Sequence, residues 1–249
     1  MTLTLTPDEG YEAAGVTVTD AKGNQVPVTK NPDGTYSFTM PASAVTVTPV
    51  FEEIAAPDSP GGDVSDRFTD VSRTAWYHDA VQWAVDQGLM NGVSDTLFAP
   101  NGTATRAMVV TMLWRMAGEP VVDYLMPYTD VSQDAWYAEA IRWAASAGAV
   151  NGVSETAFSP NAPVTREQLA AILYRYAQAR GQGFTGSWMF LLDYPDADQV
   201  SDWADEAMHW MVMHGVITGM GDGTLAPKDN ATRAQIAAMF MRFCEELEK

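Results

Sequence analysis

A pattern of tryptophan, glycine, proline and arginine occurs three times between residues 67 and 249, and it limits the folds open to this 249-residue chain more than any other feature. Its fixed positions are Trp76, Trp136 and Trp203, then Gly88, Gly148 and Gly215, then Pro100, Pro160 and Pro227, and finally Arg106, Arg166 and Arg233. Thirty residues separate the first tryptophan from the arginine in every copy. Self-similarity at a fixed spacing indicates three copies of one structural unit.

The first half of each copy predicts an amphipathic helix. In the first copy its apolar face comprises Trp76, Ala80, Trp83 and Ala84, and Gly88 is expected to end the helix. The residues expected to cap the three helix starts are Thr74, Asp134 and Ser201.

The second half predicts another helix, which begins at a Thr-Arg pair. The threonine is a favourable N-cap, and Gln168 and Gln235 occupy the third helical position, where a capping box needs Glu or Gln. The first copy has Met108 there and lacks half of the box. The residues expected to face the core are Val109, Met112, Leu113 and Met116, then Leu169, Ile172, Leu173 and Tyr176, then Ile236, Met239, Phe240 and Phe243.

A single helix pair cannot enclose its own apolar face, so we expect the three units to share one core with the second helices at the centre. The predicted fold is mainly α, a pseudo-threefold helical bundle of three helix-loop-helix repeats at about residues 67–120, 127–181 and 193–247. Residues 182–193 lengthen the step from the second repeat to the third, and they predict an insertion lying over the surface.

The chain before the repeats has a different composition. Residues 1–53 are rich in Thr and Val that alternate with period two, and turn residues at 7–10, 22–24 and 31–34 separate the runs. They predict a small antiparallel β module. Residues 54–66 are rich in Pro, Gly, Asp and Ser, which predicts a linker. The repeats then form a domain at residues 67–249.

Charge and hydropathy exclude several classes of partner. The chain has 14 Lys and Arg against 32 Asp and Glu, a formal net charge of −18, so we expect no nucleic-acid partner. No apolar run reaches the length of a membrane span, so no membrane insertion is expected. Met1 leads directly into a strand-like alternation, so we expect no signal peptide in this fragment. The single cysteine, Cys244, is expected in the core.

The arginine after each capping threonine is the sharpest chemical feature of the repeats. A cation in the first turn of a helix opposes the helix dipole, yet Arg106, Arg166 and Arg233 all stand there. One interpretation is an anion site, in which free helix N–H groups and the guanidinium face a carboxylate together. The other is a structural pair with an acid of a neighbouring repeat. The candidate acids are Asp70, Asp130 and Asp196.

Two further sets of repeated residues have simpler interpretations. Arg115, Arg175 and Arg242 stand near the ends of the second helices, where the dipole favours cations, so a structural role is expected. Trp83, Trp143 and Trp210 are expected in the core, whereas the helix-opening Trp76, Trp136 and Trp203 are candidates for the edge of a groove.

The repeat resembles the S-layer homology domain. The resemblance rests on the opening Phe68-Thr69-Asp70-Val71 and its copies, on the tryptophan helix, and on the Thr-Arg helix start. Such arrays form a pseudo-threefold helical prism that binds secondary cell-wall polymers without a covalent bond, often through pyruvylated amino sugars. The resemblance implies a secreted protein at the cell wall or S-layer of a bacterium. Its implied partner is secondary cell-wall polysaccharide attached to peptidoglycan, and the fragment is expected to be monomeric.

The resemblance also implies a glycan site in the grooves between adjacent repeats. The candidate residues are Arg106, Arg166, Arg233, Trp76, Trp136, Trp203, Gly219, Asp222, Gly223 and Asp95. The family's Asp-Gly turn is intact only at Asp222-Gly223, so we expect the third repeat, with Arg233, to bind most strongly. Residues 1–53 are similar to internalin-type B-repeats, on the strength of Gly10-Tyr11, residues 36–41 and residues 45–51.

No enzyme signature appears, and neither a catalytic residue, a metal site nor a cofactor is expected. The many scattered acids do not single out a catalytic pair, and His209 and His214 are not spaced as a zinc-binding pair. Two alternatives to glycan anchoring stay open. One is a structural or self-assembling surface-layer protein without specific glycan binding, and the other is a surface-linked glycan hydrolase.

Overall fold

The computed structural model describes residues 1–3, 11–31, 35–53, 62–185 and 189–248. The chain divides into two compact units, Met1–Gly61 and Gly62–Lys249. The first unit contains small antiparallel sheets and the second is helical, so the chain is mainly α with a small β module.

The β unit contains two three-stranded antiparallel sheets. Its strands are β1 (Thr2–Leu3), β2 (Tyr11–Asp20), β3 (Gln25–Val26), β4 (Val28–Lys30), β5 (Tyr36–Phe38) and β6 (Val45–Glu53). The sheet orders are β1-β5-β4 and β3-β2-β6. Val18, Tyr36 and Phe38 are buried apolar residues of this unit. The predicted turn at 22–24 is present, with Gly23 at a φ of 85°, whereas residues 7–10 and 32–34 lie outside the described part of the chain.

The helical unit contains three helix-loop-helix repeats preceded by a short helix. The helices are α1 (Val64–Arg67), α2 (His78–Asp86), α3 (Arg106–Met116), α4 (Ala138–Ser146), α5 (Arg166–Ala179), α6 (Asp205–Met213) and α7 (Arg233–Leu247). Short 3-10 helices cover Ala197–Gln199 and Asp202–Ala204. Helix α4 packs against α3, α6 against α5, and α2 against α7. Each first helix therefore packs on the second helix of another repeat, and the first repeat packs on the third.

The starts of the first helices differ from the prediction. Helices α2 and α4 begin after Tyr77 and Tyr137, and neither N-cap residue makes a side-chain capping bond. The predicted caps Thr74 and Asp134 therefore lie in the preceding turn, and Ser201 caps a 3-10 helix without a side-chain bond. As a result Trp76 precedes α2 and does not belong to its apolar face. Gly88 follows the helix as predicted, at a φ of 66°.

The starts of the second helices agree with the prediction. Thr165 and Thr232 each form a complete capping box with the glutamine three residues later. Thr105 accepts from the Met108 amide at 3.3 Å, and that start has only half of the box. Eleven of the twelve residues expected to face the core are buried, and the exception is Met116, which is half-buried like Cys244.

Helix α1 occupies the end of the segment expected to be a linker. Asp63 caps it by accepting from the Ser65 amide at 2.8 Å, and Val64 is buried. The Val64 amide donates to Gln82 Oε1 at 2.8 Å, which joins α1 to α2. The segment is polar in composition, but the buried Val64 and its cap Asp63 are sufficient to hold this short helix against α2. Residues 54–61 lie outside the described residues.

Three buried residues, one before each second helix, bond to one another in a cycle. The Ala104 amide donates to Ala231 O at 3.0 Å, the Ala231 amide to Val164 O at 2.8 Å, and the Val164 amide to Ala104 O at 3.0 Å. All three side chains are fully buried. This cycle places the N-termini of α3, α5 and α7 next to one another, and so it positions the repeated arginines.

Candidate functional site

The aspartate of each opening motif makes the same two hydrogen bonds in all three repeats. In the first repeat Asp70 accepts from the Phe98 amide at 2.8 Å and from the Ala99 amide at 2.7 Å. Ala99 has a φ of 58°, a conformation that a residue with a side chain rarely adopts. The equivalent acceptors and donors are Asp130 with Phe158 and Ser159, and Asp196 with Leu225 and Ala226. Each aspartate therefore holds the loop of its own repeat in place.

The arginine of each Thr-Arg pair reaches the loop of a neighbouring repeat. Arg233 donates from Nε to Phe98 O at 2.9 Å, and its guanidinium carbon lies 4.6 Å from the centre of the Phe98 ring. Arg106 donates likewise to Phe158 O, and Arg166 to Leu225 O. All three arginines are buried, and desolvation lowers their pKa values below the usual range.

The arginines link neighbouring repeats, but not through an ion pair with the aspartate of the opening motif. Asp70 and Arg233 form no direct ion pair within the described residues. Instead, Asp70 accepts from the amide of Phe98 while Arg233 donates to the carbonyl of the same residue. The arginine therefore links neighbouring repeats through a backbone carbonyl. The aspartate of the motif bonds to the amide of the same residue.

The expectation that the helix N–H groups are free is wrong. The Arg233 amide donates to Gly102 O and the Ala234 amide to Pro100 O, both at 2.9 Å, while the Gln235 amide donates to the capping threonine. The other two second helices are satisfied in the same way by carbonyls of the next repeat. Carbonyl oxygens of the neighbouring loops therefore accept the helix N–H donors that an anion would need. The groups that remain available to a ligand are the arginine and tryptophan side chains.

Three surface grooves lie between the repeats, and each takes residues from all three. Groove 1 has a volume of about 170 Å³, groove 2 about 190 Å³ and groove 3 about 600 Å³. Groove 1 is lined by Asn91, Met108 and Arg115 of the first repeat, Trp136 of the second and Arg233 of the third. Groove 2 is lined equivalently by Asn151, Gln168, Arg175, Trp203 and Arg106. Groove 3 is lined by Thr218, Gly219, Gln235, Arg242, Trp76, Asn101 and Arg166.

The grooves concentrate positive charge on an acidic chain. Each is lined by two arginines and by no Asp or Glu among the described residues, although the chain carries a net charge of −18. The helix-opening tryptophans form the rims and are well exposed, Trp76 at 66%, Trp136 at 61% and Trp203 at 56%. A guanidinium pair beside an exposed indole is suited to an anionic ligand that also has an apolar face.

The predicted site residues are only partly brought together. Arg106, Arg166 and Arg233 and the three rim tryptophans all line grooves, and Gly219 lines groove 3. Asp222, Gly223 and Asp95 line none of the three, and Asp222 accepts from the amide and hydroxyl of Thr224 in the adjoining turn. Arg233 is also separated from Gly219, because the first residue of a second helix points into the loop of the next repeat. Arg233 therefore shares a groove with the helix-opening Trp136 and not with Asp222 and Gly223.

The groove-lining residues that sequence reasoning missed lie on the second helices. Arg115, Arg175 and Arg242 were expected to be structural, yet each lines a groove. Gln168 and Gln235 have side chains in the grooves as well as in the capping boxes. A signal was present, because Gln235 and Arg242 are seven residues apart and so share one helical face.

Groove 3 differs from the others in the state of its buried arginine. Arg233 donates from Nη2 to Asn91 O at 2.6 Å, and Arg106 from Nη2 to Asn151 O at 2.9 Å. Arg166 makes only the Nε bond to Leu225, and in the described part of the chain its Nη1 and Nη2 have no protein acceptor. Desolvation lowers the pKa of Arg166, the charges of Asp229 and Asp196 act to raise it, and the charge of Arg242 acts to lower it. Groove 3 is also the largest of the three grooves. Among the described Thr-Arg arginines, Arg166 alone has both terminal nitrogens available to a ligand.

No group of three or more His, Cys, Asp or Glu side chains in the described residues is arranged to hold a metal ion. No helix there is both long enough and apolar enough to cross a membrane.

Sequence comparisons extend these observations. The chain is 31% identical over 179 residues to an amylopullulanase of Thermoanaerobacterium thermosulfurigenes, which covers 72% of the chain and 10% of the relative. It is 34% identical over 173 residues to the Surface-layer 125 kDa protein of Lysinibacillus sphaericus, covering 68% and 14%. It is 27% identical over 185 residues to the S-layer protein sap of Bacillus anthracis, covering 74% and 22%. The chain thus spans less than a quarter of the length of these relatives.

Family models match most of the chain. Residues 1–55 match the Divergent InlB B-repeat domain. Residues 67–107, 127–170 and 193–237 match the S-layer homology domain, once in each helix-loop-helix repeat. The resemblances inferred from the sequence are confirmed, and the chain belongs to the S-layer homology domain family.

Proposed function

We propose that the helical unit anchors its protein to the cell surface by binding an acidic wall polysaccharide in the inter-repeat grooves. The observation that carries this proposal is the pair of arginines in each groove, without an acid, on a chain of net charge −18. An acidic protein repels an acidic polymer at long range, so the attraction must come from a few cations placed in the site. Carboxylates such as those of pyruvylated sugars match the bidentate geometry of a guanidinium.

Groove 3 is the proposed principal site. Its volume of about 600 Å³ falls in the range of small-ligand sites, whereas grooves 1 and 2 are smaller. Arg166 offers Nη1 and Nη2, Arg242 offers a second guanidinium, and Trp76 and Asn101 form the far wall. A carboxylate between the two guanidiniums would relieve the repulsion between them.

We also propose that the three repeats form a pseudo-threefold bundle. We infer it from the cycle of backbone bonds between Ala104, Val164 and Ala231 and from arginines that link the first repeat to the second, the second to the third, and the third to the first. Each groove then depends on all three repeats, because its two arginines and its rim tryptophan come from different ones.

The proposal places the whole protein outside a bacterial cell and assigns the repeats no catalytic role. The similarity to enzymes such as the amylopullulanase covers 10% of that relative and falls in the same repeats that the surface-layer proteins share. Surface-layer relatives support attachment as the common role of the segment.

Co-sedimentation with purified walls of the producing cells tests this function. Wild-type protein should pellet with intact walls and stay in solution with walls whose secondary polymer has been stripped by acid. Retention on stripped walls would overturn glycan binding. Pelleting without walls, increasing with protein concentration, would favour the self-assembling alternative.

A further inference from the structure

A fourth cavity opens beside groove 1. This side cavity has a volume of about 370 Å³ and is lined by Trp83, Gln87, Leu89, Arg115, Met116, Cys244 and Glu248. Leu89 and Arg115 also line groove 1, so the two spaces share a wall.

The side cavity exists because the first repeat lacks an aromatic ring. At the position of Met116 the other repeats have Tyr176 and Phe243, which are buried and pack against Trp143 and Trp210 with ring centres 6.1 Å apart in both cases. Met116 does not fill this space, and Trp83 is only half-buried where its two equivalents are buried. The indole of Trp83 therefore faces an opening instead of a neighbouring ring.

Thr111 in α3 lines groove 1. Its side chain is 3% exposed, and its Oγ1 is buried without a hydrogen-bond partner. The other repeats have Ala171 and Ala238 at this position, so the unpartnered hydroxyl is specific to the first repeat. An unpaired buried hydroxyl costs stability, and a ligand that bonds to it would recover that cost.

The chemistry of the side cavity is mixed rather than cationic. Arg115 and Gln87 offer donors, Glu248 and Gln87 offer acceptors, and Trp83 offers an apolar ring face. An indole beside donors and acceptors of both kinds fits an uncharged, polyhydroxylated ring. A purely anionic group would meet the carboxylate of Glu248.

We propose that groove 1 and the side cavity form a second glycan-binding site, in which the side cavity takes a neutral sugar unit next to an acidic unit in groove 1. This inference rests on the proposed function, because it extends the same polymer along the first repeat. The donors of Arg115 serve both units, and Thr111 contacts the unit in groove 1.

Cys244 makes the occupancy of the side cavity measurable, because it lines the cavity and is the only cysteine of the chain. Burial raises its pKa to about 11, so alkylation by iodoacetamide is slow and is followed at alkaline pH. Acid-released wall polymer, at about a tenfold excess over its dissociation constant, should slow alkylation of the wild-type protein about tenfold. Polyglutamate, which has the charge but no sugar rings, is the control and should leave the rate unchanged.

Two variants at one position separate the cavity from general effects. Met116→Tyr restores the ring of the second repeat and should make the remaining alkylation insensitive to wall polymer, whereas Met116→Leu keeps the volume and should behave like wild type.

Thr111→Val should melt no lower than wild type and need several-fold more polymer to protect Cys244.

The outcomes distinguish the two proposals. Polymer that co-sediments with wild-type protein but leaves the alkylation rate unchanged would overturn the side cavity and keep the proposed function. Equal protection by polyglutamate would overturn the assignment to a sugar. Polymer that fails to bind wild-type protein in both assays would overturn both proposals.

Discussion

Arg233 in the third repeat donates from Nε to the carbonyl oxygen of Phe98 in the first repeat at 2.9 Å, across 135 positions of sequence. Arg106 and Arg166 make the equivalent bonds to the second and third repeats, so each repeat is joined to the next by one buried cation. Because the first turn of a helix is an unfavourable place for a cation, this repeated position is explained by the contact it makes with a carbonyl, the negative end of a peptide dipole.

Replacing Arg233 by alanine should therefore destabilise the helical unit. The substitution removes bonds from Nε and Nη2 and leaves the carbonyls of Phe98 and Asn91 without this donor. Hydrogen bonds to charged groups contribute about 1.5–3 kcal/mol, so a loss of about 2–4 kcal/mol in the free energy of unfolding is expected. Denaturant unfolding measures it. Arg142→Ala, which removes only an ion pair with Glu139 within α4, is the control, and an equal effect of the two substitutions would contradict a structural role for Arg233.

Arg242 should act on binding more than on stability. It lines groove 3, and its bonds to Val216 O at 3.5 Å and to Thr218 Oγ1 at 3.3 Å are long, so the fold loses little without it. Arg242→Gln should weaken co-sedimentation with walls about tenfold or more, since a charge-assisted bond contributes about 1.5–3 kcal/mol. Arg142→Gln is the matched control outside the grooves. Unchanged wall binding by Arg242→Gln, at equal folding, would remove groove 3 from the site.

The repeats, the second helices and most core residues were predictable from the sequence because periodicity and capping are local properties. The direction of Arg233 was not, because it depends on which loop lies beside the helix start. The same limit applied to Arg242. It lies before the last turn of α7, so the dipole argument does not explain it, and Trp76, Asn101 and Arg166 in the groove beside it come from other repeats. A single sequence does not indicate which residues of different repeats are in contact.

Gly152 should tolerate no side chain. A Cβ built there lies 2.6 Å from Tyr128 Cε1 and 2.5 Å from the carbonyl oxygens of Ser154 and Ala157. Backbone atoms cannot move aside cheaply, so Gly152→Ala should lower the free energy of unfolding by about 1–3 kcal/mol. Gly221→Ala is the control, since its Cβ meets nothing within 4 Å and its φ is not positive. The two variants are compared by thermal and denaturant unfolding, and equal stabilities would contradict the packing described here.

The helical unit should fold without the β unit. The two separate into Met1–Gly61 and Gly62–Lys249, and the buried core cluster from Val64 to Phe243 lies within the second. A protein comprising residues 62–249 should therefore melt in one cooperative transition at the temperature of the helical transition in the full chain. Calorimetry of both proteins provides the comparison. A lower or broadened transition in the shorter protein would show that the helical unit depends on residues 1–61.

The junction between α1 and α2 should respond to pH through His78. Its Nδ1 lies 3.0 Å from Asp79 Oδ1 and its Nε2 lies 3.0 Å from Asp63 Oδ1, and these carboxylates raise the pKa of the imidazole. Arg73 also faces Asp63, at 3.5 Å, and Asp66, at 2.7 Å. The bond to His78 lowers the pKa of Asp63 to about 2, so the pair is charged over most of the acidic range.

The sign of the dependence follows from these two shifts. A raised histidine pKa contributes stability fully below the unfolded value, about 6.5, and that contribution is lost as the pH rises through the native pKa. The contribution of Asp63 is present above its unfolded pKa and is lost as the pH falls towards about 2. Titration of the His78 imidazole by NMR should give a pKa above 6.5, and amide exchange at Val64 should quicken as the pH passes that value, beyond the intrinsic increase with pH. In His78→Gln this additional increase should vanish, and its persistence would assign the pH response to another group.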